Sequence, residues 1–179
     1  SVAISNTGDI TLSNFSTLDG IIVLANKSYG NQNLSALLRA KTGNSPLVIL
    51  QNGLGVEQAF VDHDFPGVYR CVLFVTSQRI TESKVRFKPV SPCPIGIIKG
   101  NRDNLNRITE TLSSKHFQFT PEEAIQEVIW RKAIINCAFN SICPLLETDN
   151  GIFHRNHSVL QIAQRVIEEC VTVAVAKGV

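Results

Sequence analysis

Two short, continuous apolar runs in the first part of the chain predict buried parallel strands. The runs are IIVLAN at 21–26 and PLVILQN at 46–52, and runs of this kind are typical of strands that are covered on both faces. Between them, LSALLRAK at 34–41 has the spacing of a helix. A strand, a helix and a strand joined by short links predict a right-handed βαβ unit in a parallel sheet.

The pattern changes after VEQAFVDH at 56–63, which we predict to be helical. Turn residues rather than helices separate the next strand candidates, CVLFVTSQ, KVRFKPV and PIGIIKG. Strands linked in this way predict an antiparallel continuation of the sheet. An amphipathic helix at 104–115 and a short strand, FQFT at 117–120, complete this α/β part.

The remainder of the chain has the pattern of helices. Thr120 offers an N-cap hydroxyl, Pro121 suits the first helical position, and Glu122 and Glu123 place acids in the first turn. We therefore predict one helix from 121 to about 147 and a second over 157–177. The boundary between the α/β part, 1–120, and the all-helical part, 121–179, lies at this start signal.

Composition and charge narrow the range of functions. The 179 residues are 44% hydrophobic, and 17 basic and 15 acidic side chains give a net charge of +2 without long charged runs. This distribution does not indicate a nucleic-acid partner. No apolar stretch reaches the ~18 residues of a membrane span, and the first residues, SVAISNTGD, lack a signal-peptide pattern. We expect a cytoplasmic protein.

The cysteines and histidines do not indicate a metal site. The five cysteines are odd in number and show no CxxC spacing, so we interpret them as buried thiols. His154 and His157 are three residues apart without a third ligand candidate nearby. An exposed loop or helix start explains them better than a metal does.

The first candidate site is QNGLG, residues 51–55, at the end of the second parallel strand. Ligands of open α/β sheets bind outside the carboxyl ends of the strands, where glycines such as Gly53 allow close approach and a helix N-terminus favours anions. Asn52 would point into that crevice, and Lys27 follows the neighbouring strand. The alternative is a plain turn in which the glycines supply positive φ, Asn52 caps locally and Lys27 is a solvated charge.

The second candidate is WRKAIINCAFN, residues 130–140, an apolar stretch that carries Lys132, Asn136 and Asn140. A spacing of four drifts by only ~40° per step around a helix, so these side chains form one polar stripe. Burying a polar group without a partner costs ~1–3 kcal/mol, so a ligand or a hydrogen-bond network should satisfy the stripe. Spacing alone leaves open the alternative of a helix face turned to solvent.

Together these motifs resemble the ketopantoate reductase family, which uses NADPH to reduce 2-dehydropantoate to pantoate on the way to pantothenate and coenzyme A. The resemblance rests on the strand ending at Lys27, the QNGLG turn, the WRKAIINCAFN helix and the Asn150–Gly151 pair, in the order and spacing of the family. It implies a partial Rossmann-like NADP-binding domain over 1–120. The start of a helical substrate and dimerisation domain would follow over 121–179.

The resemblance also implies a role for each matching residue. Lys132 would stabilise the charge that develops on the carbonyl oxygen of a 2-oxo acid and would then protonate it. The matching residues are the proton donor Lys132, the substrate ligands Asn136, Asn140 and Asn150, and the cofactor contacts Lys27, Asn52 and Gly53.

Several differences between this sequence and the family pattern leave other functions open. The family's GxGxxG segment and its later helices, with a substrate-binding Ser and an essential Glu, do not lie in these residues, so we expect a fragment. Ser141–Pro144 stands where the family often has Pro-Leu-Thr-Ala, which leaves the exact substrate open. A sibling 2-oxo acid or imine reductase would share every motif. A non-catalytic NADP sensor would not need the intact stripe. The oligomeric state does not follow from the sequence, which is compatible with a homodimer.

Overall fold

The chain forms two compact units, Ser1–Ile125 and Gln126–Val179. The computed structural model describes residues 2–3, 11–82 and 84–179, the first two by their backbone alone. Residues 1 and 4–10 belong to the segment on which the expectation of no signal peptide rests, and they lie outside the described residues.

The described elements run in chain order as follows. The strands are β1 (Val2–Ala3), β2 (Ile22–Leu24), β3 (Leu47–Ile49), β4 (Val68–Cys71), β5 (Val75–Arg79), β6 (Lys84–Pro89), β7 (Cys93–Lys99) and β8 (Phe119–Glu122). The helices are α1 (Asn31–Thr42), α2 (Gln58–Asp62), α3 (Arg102–Leu112), α4 (Ile125–Leu145), α5 (Ile152–Arg155) and α6 (His157–Ala176). Short 3-10 turns occupy Leu12–Asn14 and Ser28–Gly30.

The first unit is built on a five-stranded sheet with the order β2-β3-β4-β7-β8. Strands β2, β3 and β4 are parallel, and β7 then pairs antiparallel with β4. The predicted βαβ unit is therefore confirmed, and the antiparallel continuation of the sheet is confirmed for β7. Strands β5 and β6 do not extend this sheet, however, because they form a separate antiparallel sheet with β1.

Helices cover both faces of the central sheet. Leu24, Leu47 and Ile49 pack with α1 and α2 on one face, while residues of β3, β4 and β7 pack with α3 on the other. Strand β3 is wholly buried, as its continuous apolar run predicts. The same prediction is wrong for β2, where Val23 is 40% exposed, because β2 lies at the edge of the sheet beyond the core that α3 covers.

The helix start predicted at Thr120–Glu123 is wrong. Residues Phe119–Glu122 form β8, which runs parallel to Cys93–Gly96 of β7. Pro121 is compatible with this place because β8 is an edge strand, where a missing N–H need not break a ladder hydrogen bond. The carboxylate of Glu122 accepts a hydrogen bond from the Ala124 N–H at 2.8 Å, and α4 begins directly after it at Ile125.

The second unit consists of helices whose apolar side chains meet in one cluster. Ala138 and Ile142 of α4 pack with Val159 and Ala163 of α6, around Phe153 of α5. The second predicted helix is confirmed, since α6 covers His157–Ala176 and the Asn156 side chain caps its start. Among the residues described, none of the helices combines the length and apolar character that crossing a membrane requires.

The cysteines are only partly as predicted. Cys71, Cys93 and Cys143 are buried thiols, but Cys137 is exposed and Cys170 is half-buried. Helix α4 buries the face that carries Ala138, and Cys137 lies about 100° around the helix from it. The expectation of uniformly buried thiols is therefore wrong for Cys137.

Candidate functional site

Two of the predicted site residues lie at neighbouring strand ends in the first unit. Leu24, the last residue of β2, pairs with Ile49, the last residue of β3. Lys27 and Asn52 each follow three residues later in the chain, and both are exposed. Because the strands are parallel, both loops leave the sheet at the same edge, and an ammonium and an amide are available there to a ligand.

The QNGLG turn uses its glycines as the sequence predicts. Gly53 has a φ of 110° and Gly55 a φ of 67°, in the left-handed region where a side chain would be strained. A Cβ added at Gly53 would also lie 3.3 Å from Val56 Cγ1. The expected anion-binding helix N-terminus is not formed, because α2 has only five residues and the carboxylate-bearing Glu57 is its N-cap.

A buried network of amides joins the two loops. The Gln51 side chain donates to Asn31 Oδ1 at 2.9 Å and to Asn26 Oδ1 at 3.1 Å. In return, Asn31 Nδ2 donates to Gln51 Oε1 at 2.7 Å and to the Val56 carbonyl at 2.8 Å. The loop that carries Lys27 is therefore tied to the turn that carries Asn52. Sequence reasoning missed Gln51 and Asn31, although amide side chains next to a candidate ligand residue are a usable signal.

A buried ion pair lies beneath the same turn. Arg70, on β4, is 2% exposed and donates a hydrogen bond to the carboxylate of Glu57. The same guanidinium donates to the Gly53 carbonyl at 2.9 Å and to the Gln51 carbonyl at 3.3 Å. Sequence reasoning missed this pair too. The signal was an arginine inside the otherwise apolar segment VYRCVLF, because arginine is almost never fully buried unless it is paired.

The polar stripe lies on one face of α4 in the second unit. Lys132 and Asn136 are half-buried and Asn140 is exposed. Asn136 is about 160° around the helix from Ala138, so the stripe faces away from the side that packs on α6. Ile135, which lies between Lys132 and Asn136 in the chain, is 48% exposed, so apolar packing does not surround the whole helix here. A half-buried lysine with two asparagines along one face remains suited to a polar ligand.

Asn150 lies in an anchored turn after α4. Its Oδ1 accepts a hydrogen bond from the Cys143 thiol at 3.3 Å, and Cys143 is on the last turn of the helix. Next to Asn150, the Asp149 carboxylate accepts hydrogen bonds from the Gly151 N–H at 2.7 Å and from Arg155 at 3.0 Å. The Gly151 N–H first, and then the Arg155 guanidinium, lower the pKa of Asp149 below its ordinary value. These contacts restrain the backbone on both sides of Asn150.

His154 and His157 are exposed, His154 within α5 and His157 as the first residue of α6. The interpretation of HRNH as an exposed loop or helix start is confirmed for His157, while His154 is exposed within a short helix. In the part of the chain that the structure describes, no group of three or more His, Cys, Asp or Glu side chains is placed to hold a metal ion.

Two family descriptions match the chain. Residues 4–100 match the family described as "Ketopantoate reductase PanE/ApbA". Residues 124–179 match its counterpart, described as "Ketopantoate reductase PanE/ApbA C terminal". The two matches follow each other in the order that the sequence motifs predict.

The names of individual relatives agree with these two family descriptions. A curated 2-dehydropantoate 2-reductase of Pyrococcus abyssi is 26% identical over 162 residues, which are 89% of this chain and 53% of the relative. The chain thus spans about half the length of the curated relatives it matches over most of its own length. A shorter match, 32% identical over 79 residues, joins 44% of this chain to 26% of a 2-dehydropantoate 2-reductase of Streptococcus pyogenes.

Solved structures share the fold. A dimeric ketopantoate reductase from Staphylococcus aureus superposes with a TM-score of 0.75 at 19% identity, over 94% of this chain and 61% of that one. A D-mandelate dehydrogenase in complex with NADH gives a TM-score of 0.76 at 16% identity, over 89% of this chain and 53% of that one. The predicted α/β fold class, a Rossmann-like part followed by a helical part, is confirmed.

Proposed function

Since the chain belongs to the ketopantoate reductase PanE/ApbA family, we propose that the protein reduces 2-dehydropantoate to pantoate with NADPH, a step toward pantothenate and coenzyme A. The observation that carries this proposal is the stripe of Lys132, Asn136 and Asn140 on one face of α4, followed by the anchored Asn150. Beside a hydride donor, reduction of a 2-oxo acid requires a proton donor and groups that hold the acid, which these side chains can supply.

We assign cofactor binding to residues 1–120. The residues at the end of β2 and β3 fit a nicotinamide dinucleotide, because Lys27 can donate to its anionic oxygens and Asn52 can both donate and accept at a carboxamide. Gly53, at a φ of 110°, presents backbone without a side chain beside them. A bound nicotinamide dinucleotide supplies the hydride for the reaction.

We assign substrate binding to residues 121–179. As the C2 carbonyl of the 2-oxo acid is reduced, negative charge develops on its oxygen, and the Lys132 ammonium stabilises that charge. Lys132 then donates a proton from Nζ to the oxygen, which yields the hydroxy acid, and the amine regains a proton from solvent. Asn136, Asn140 and Asn150 hold the carboxylate and hydroxyl groups of the substrate through hydrogen bonds.

The test is Lys132→Ala in the natural gene product, assayed by 2-dehydropantoate-dependent oxidation of NADPH. Loss of the proton donor should lower kcat by roughly 10²–10⁴, while the Kd for NADPH stays within about twofold. Asn136→Ala should raise KM as well, because it removes a substrate ligand.

The matched control is Arg131→Ala, which removes the neighbouring cation of α4. Arg131 is exposed and pairs with Glu127 at 3.1 Å, so its loss should leave kcat within about twofold. Circular dichroism verifies that each variant is folded. A folded and fully active Lys132→Ala enzyme would contradict the catalytic role proposed for the stripe.

A second candidate is a sibling reductase that acts on another 2-oxo acid. It is favoured by Ser141–Pro144, which follow the stripe directly and differ from the sequence usual for the family. A panel of 2-oxo acids, each assayed with NADPH and with NADH, separates the two candidates. Higher kcat/KM for another acid than for 2-dehydropantoate would favour the sibling enzyme.

A further inference from the structure

Arg70 is a buried cation in the middle of the central sheet. Along β4 it is paired with Ile49 of β3 and Gly96 of β7, and its side chain is 2% exposed. Removing a guanidinium from water is unfavourable unless a carboxylate and further acceptors surround it. The residues that supply those acceptors all belong to one segment, residues 51–57.

Arg70 binds the QNGLG turn on both sides of Asn52. Its guanidinium pairs with the Glu57 carboxylate, just beyond the turn, and donates to the carbonyls of Gln51 and Gly53. These two carbonyls belong to the residues on either side of Asn52. The backbone that carries Asn52 is therefore fastened, before and after it, to one side chain fixed in the sheet.

We propose that the Arg70–Glu57 pair is a positioning device that holds Asn52 in its cofactor-binding orientation. This inference rests on the proposed function, because it takes Asn52 to contact the nicotinamide dinucleotide. Both residues of the pair are buried and act through the turn. They are positioning residues rather than ligands.

The shape of the guanidinium explains why an arginine occupies this place. Its two terminal nitrogens donate to Glu57, Gln51 and Gly53, while Nε has no hydrogen-bond partner among the residues that the structure describes. A lysine offers one nitrogen on a flexible stem, which cannot span a carboxylate and two carbonyls in the same fixed geometry. Arg70→Lys should therefore keep the charge and fail to restore the position of Asn52.

The decisive variant replaces the whole pair, Arg70→Met with Glu57→Leu, in the natural gene product. Replacing a buried ion pair with apolar residues of similar volume is often neutral for stability. Removing only one partner instead leaves a buried charge without its counter-ion. The double variant should therefore lower the Tm less than Arg70→Met alone does, because only the Gln51 and Gly53 carbonyls lose their donor, while the turn is no longer held. Loss of stability and loss of position are separated in this way.

Three measurements on the double variant test the proposal. The Kd for NADPH should rise by about tenfold or more, since a small misplacement of a binding group is costly. Amide hydrogen exchange at 51–55, measured without cofactor, should accelerate. Adding Asn52→Ala should change Kd little further, because a residue that acts through Asn52 cannot be additive with its removal.

The control is Arg102→Met with Glu123→Leu, which removes an exposed ion pair of the same unit and should change none of the three readouts. Unchanged Kd and unchanged exchange in the double variant would overturn the proposal, as would a full additional effect of Asn52→Ala. If the wild type binds neither NADPH nor NADH, the proposed function fails. Faster exchange at 51–55 then still supports the fastening of the turn, and unchanged exchange overturns it.

A variant that fails to fold is replaced by the isosteric Glu57→Gln, which keeps a hydrogen-bond acceptor and removes the charge. The same three readouts apply to it, with Tm measured beside them. A lowered Tm with unchanged Kd and unchanged exchange at 51–55 would show a purely structural pair.

Discussion

At the scale of single residues, Asn150 is held by its neighbours rather than by its own side chain alone. The Asp149 carboxylate accepts from the Gly151 N–H and from Arg155, and a Cβ on Gly151 would lie 2.4 Å from Arg155 Nη1. The substrate amide proposed at this position therefore depends on an exposed ion pair and on a residue without a side chain.

The pKa of Asp149 gives a test of this anchoring. The Gly151 N–H and then Arg155 lower it below the ordinary 3.8, so the carboxylate stabilises the turn above pH 3.8 and this contribution is lost as pH falls through the lowered value. Carbon NMR of the Asp149 carboxyl should show a midpoint below 3.8. Arg155→Ala should raise that midpoint only in part, because the Gly151 N–H remains; a wild-type midpoint at 3.8 would contradict the anchoring.

The residues predicted from sequence are those whose signal is local. Lys132, Asn136 and Asn140 share a helix face because of their spacing, and Lys27 and Asn52 follow apolar runs directly. Arg70 was missed because its partner Glu57 is 13 residues away in the chain, across a turn and into another element. No periodic pattern contains such a pair, and an arginine inside an apolar strand shows only that some partner must exist.

At the scale of elements, the packing of β7 against the start of α4 depends on Gly96. A Cβ at this position would lie 2.3 Å from the Ile125 Cβ and 2.6 Å from the Glu122 carbonyl oxygen. Neither atom is the end of a flexible side chain. The strand, its neighbour β8 and the first residue of α4 approach one another more closely here than any other amino acid would allow.

Gly96→Ala should therefore lower the free energy of unfolding by ~1–3 kcal/mol or more, as overpacking does. Denaturant titration of the natural gene product measures the change. The control is Gly30→Ala, where an added Cβ would meet no atom within 4 Å, and it should be close to neutral. Equal denaturation midpoints for the two variants would show that β8 and α4 can move apart freely.

The elements differ in how far the sequence predicts them. Strand β3 was predictable because a continuous apolar run has few other solutions in a sheet with two covered faces. Thr120–Glu123 carried good helix-start chemistry, yet Phe119–Glu122 pair with β7, because tertiary pairing overrides local propensity. The separate sheet of β5 and β6 was not predictable, since local patterns of antiparallel strands do not specify which strands they join.

At the scale of the whole molecule, a ligand that binds only the folded state stabilises all of it. The effect is RT ln(1 + [L]/Kd), ~2.7 kcal/mol at a concentration of 100 Kd. NADPH should therefore raise the Tm of the natural gene product. Asn52→Ala and Lys27→Ala should each reduce the shift, and Lys132→Ala should not. No shift with either NADPH or NADH would contradict dinucleotide binding.

Asn31 and Gln51 exchange two hydrogen bonds in opposite directions inside the protein, much as the bases of a nucleic-acid pair do. Changing either residue alone leaves a buried amide without its partner, at a cost of ~1–3 kcal/mol. The effect of a substitution at either position on stability therefore depends on which residue occupies the other position. In a library randomised at both positions and selected for folded protein, the recovered sequences should carry matched pairs of residues. Sequences with only one of the two residues replaced should be strongly depleted.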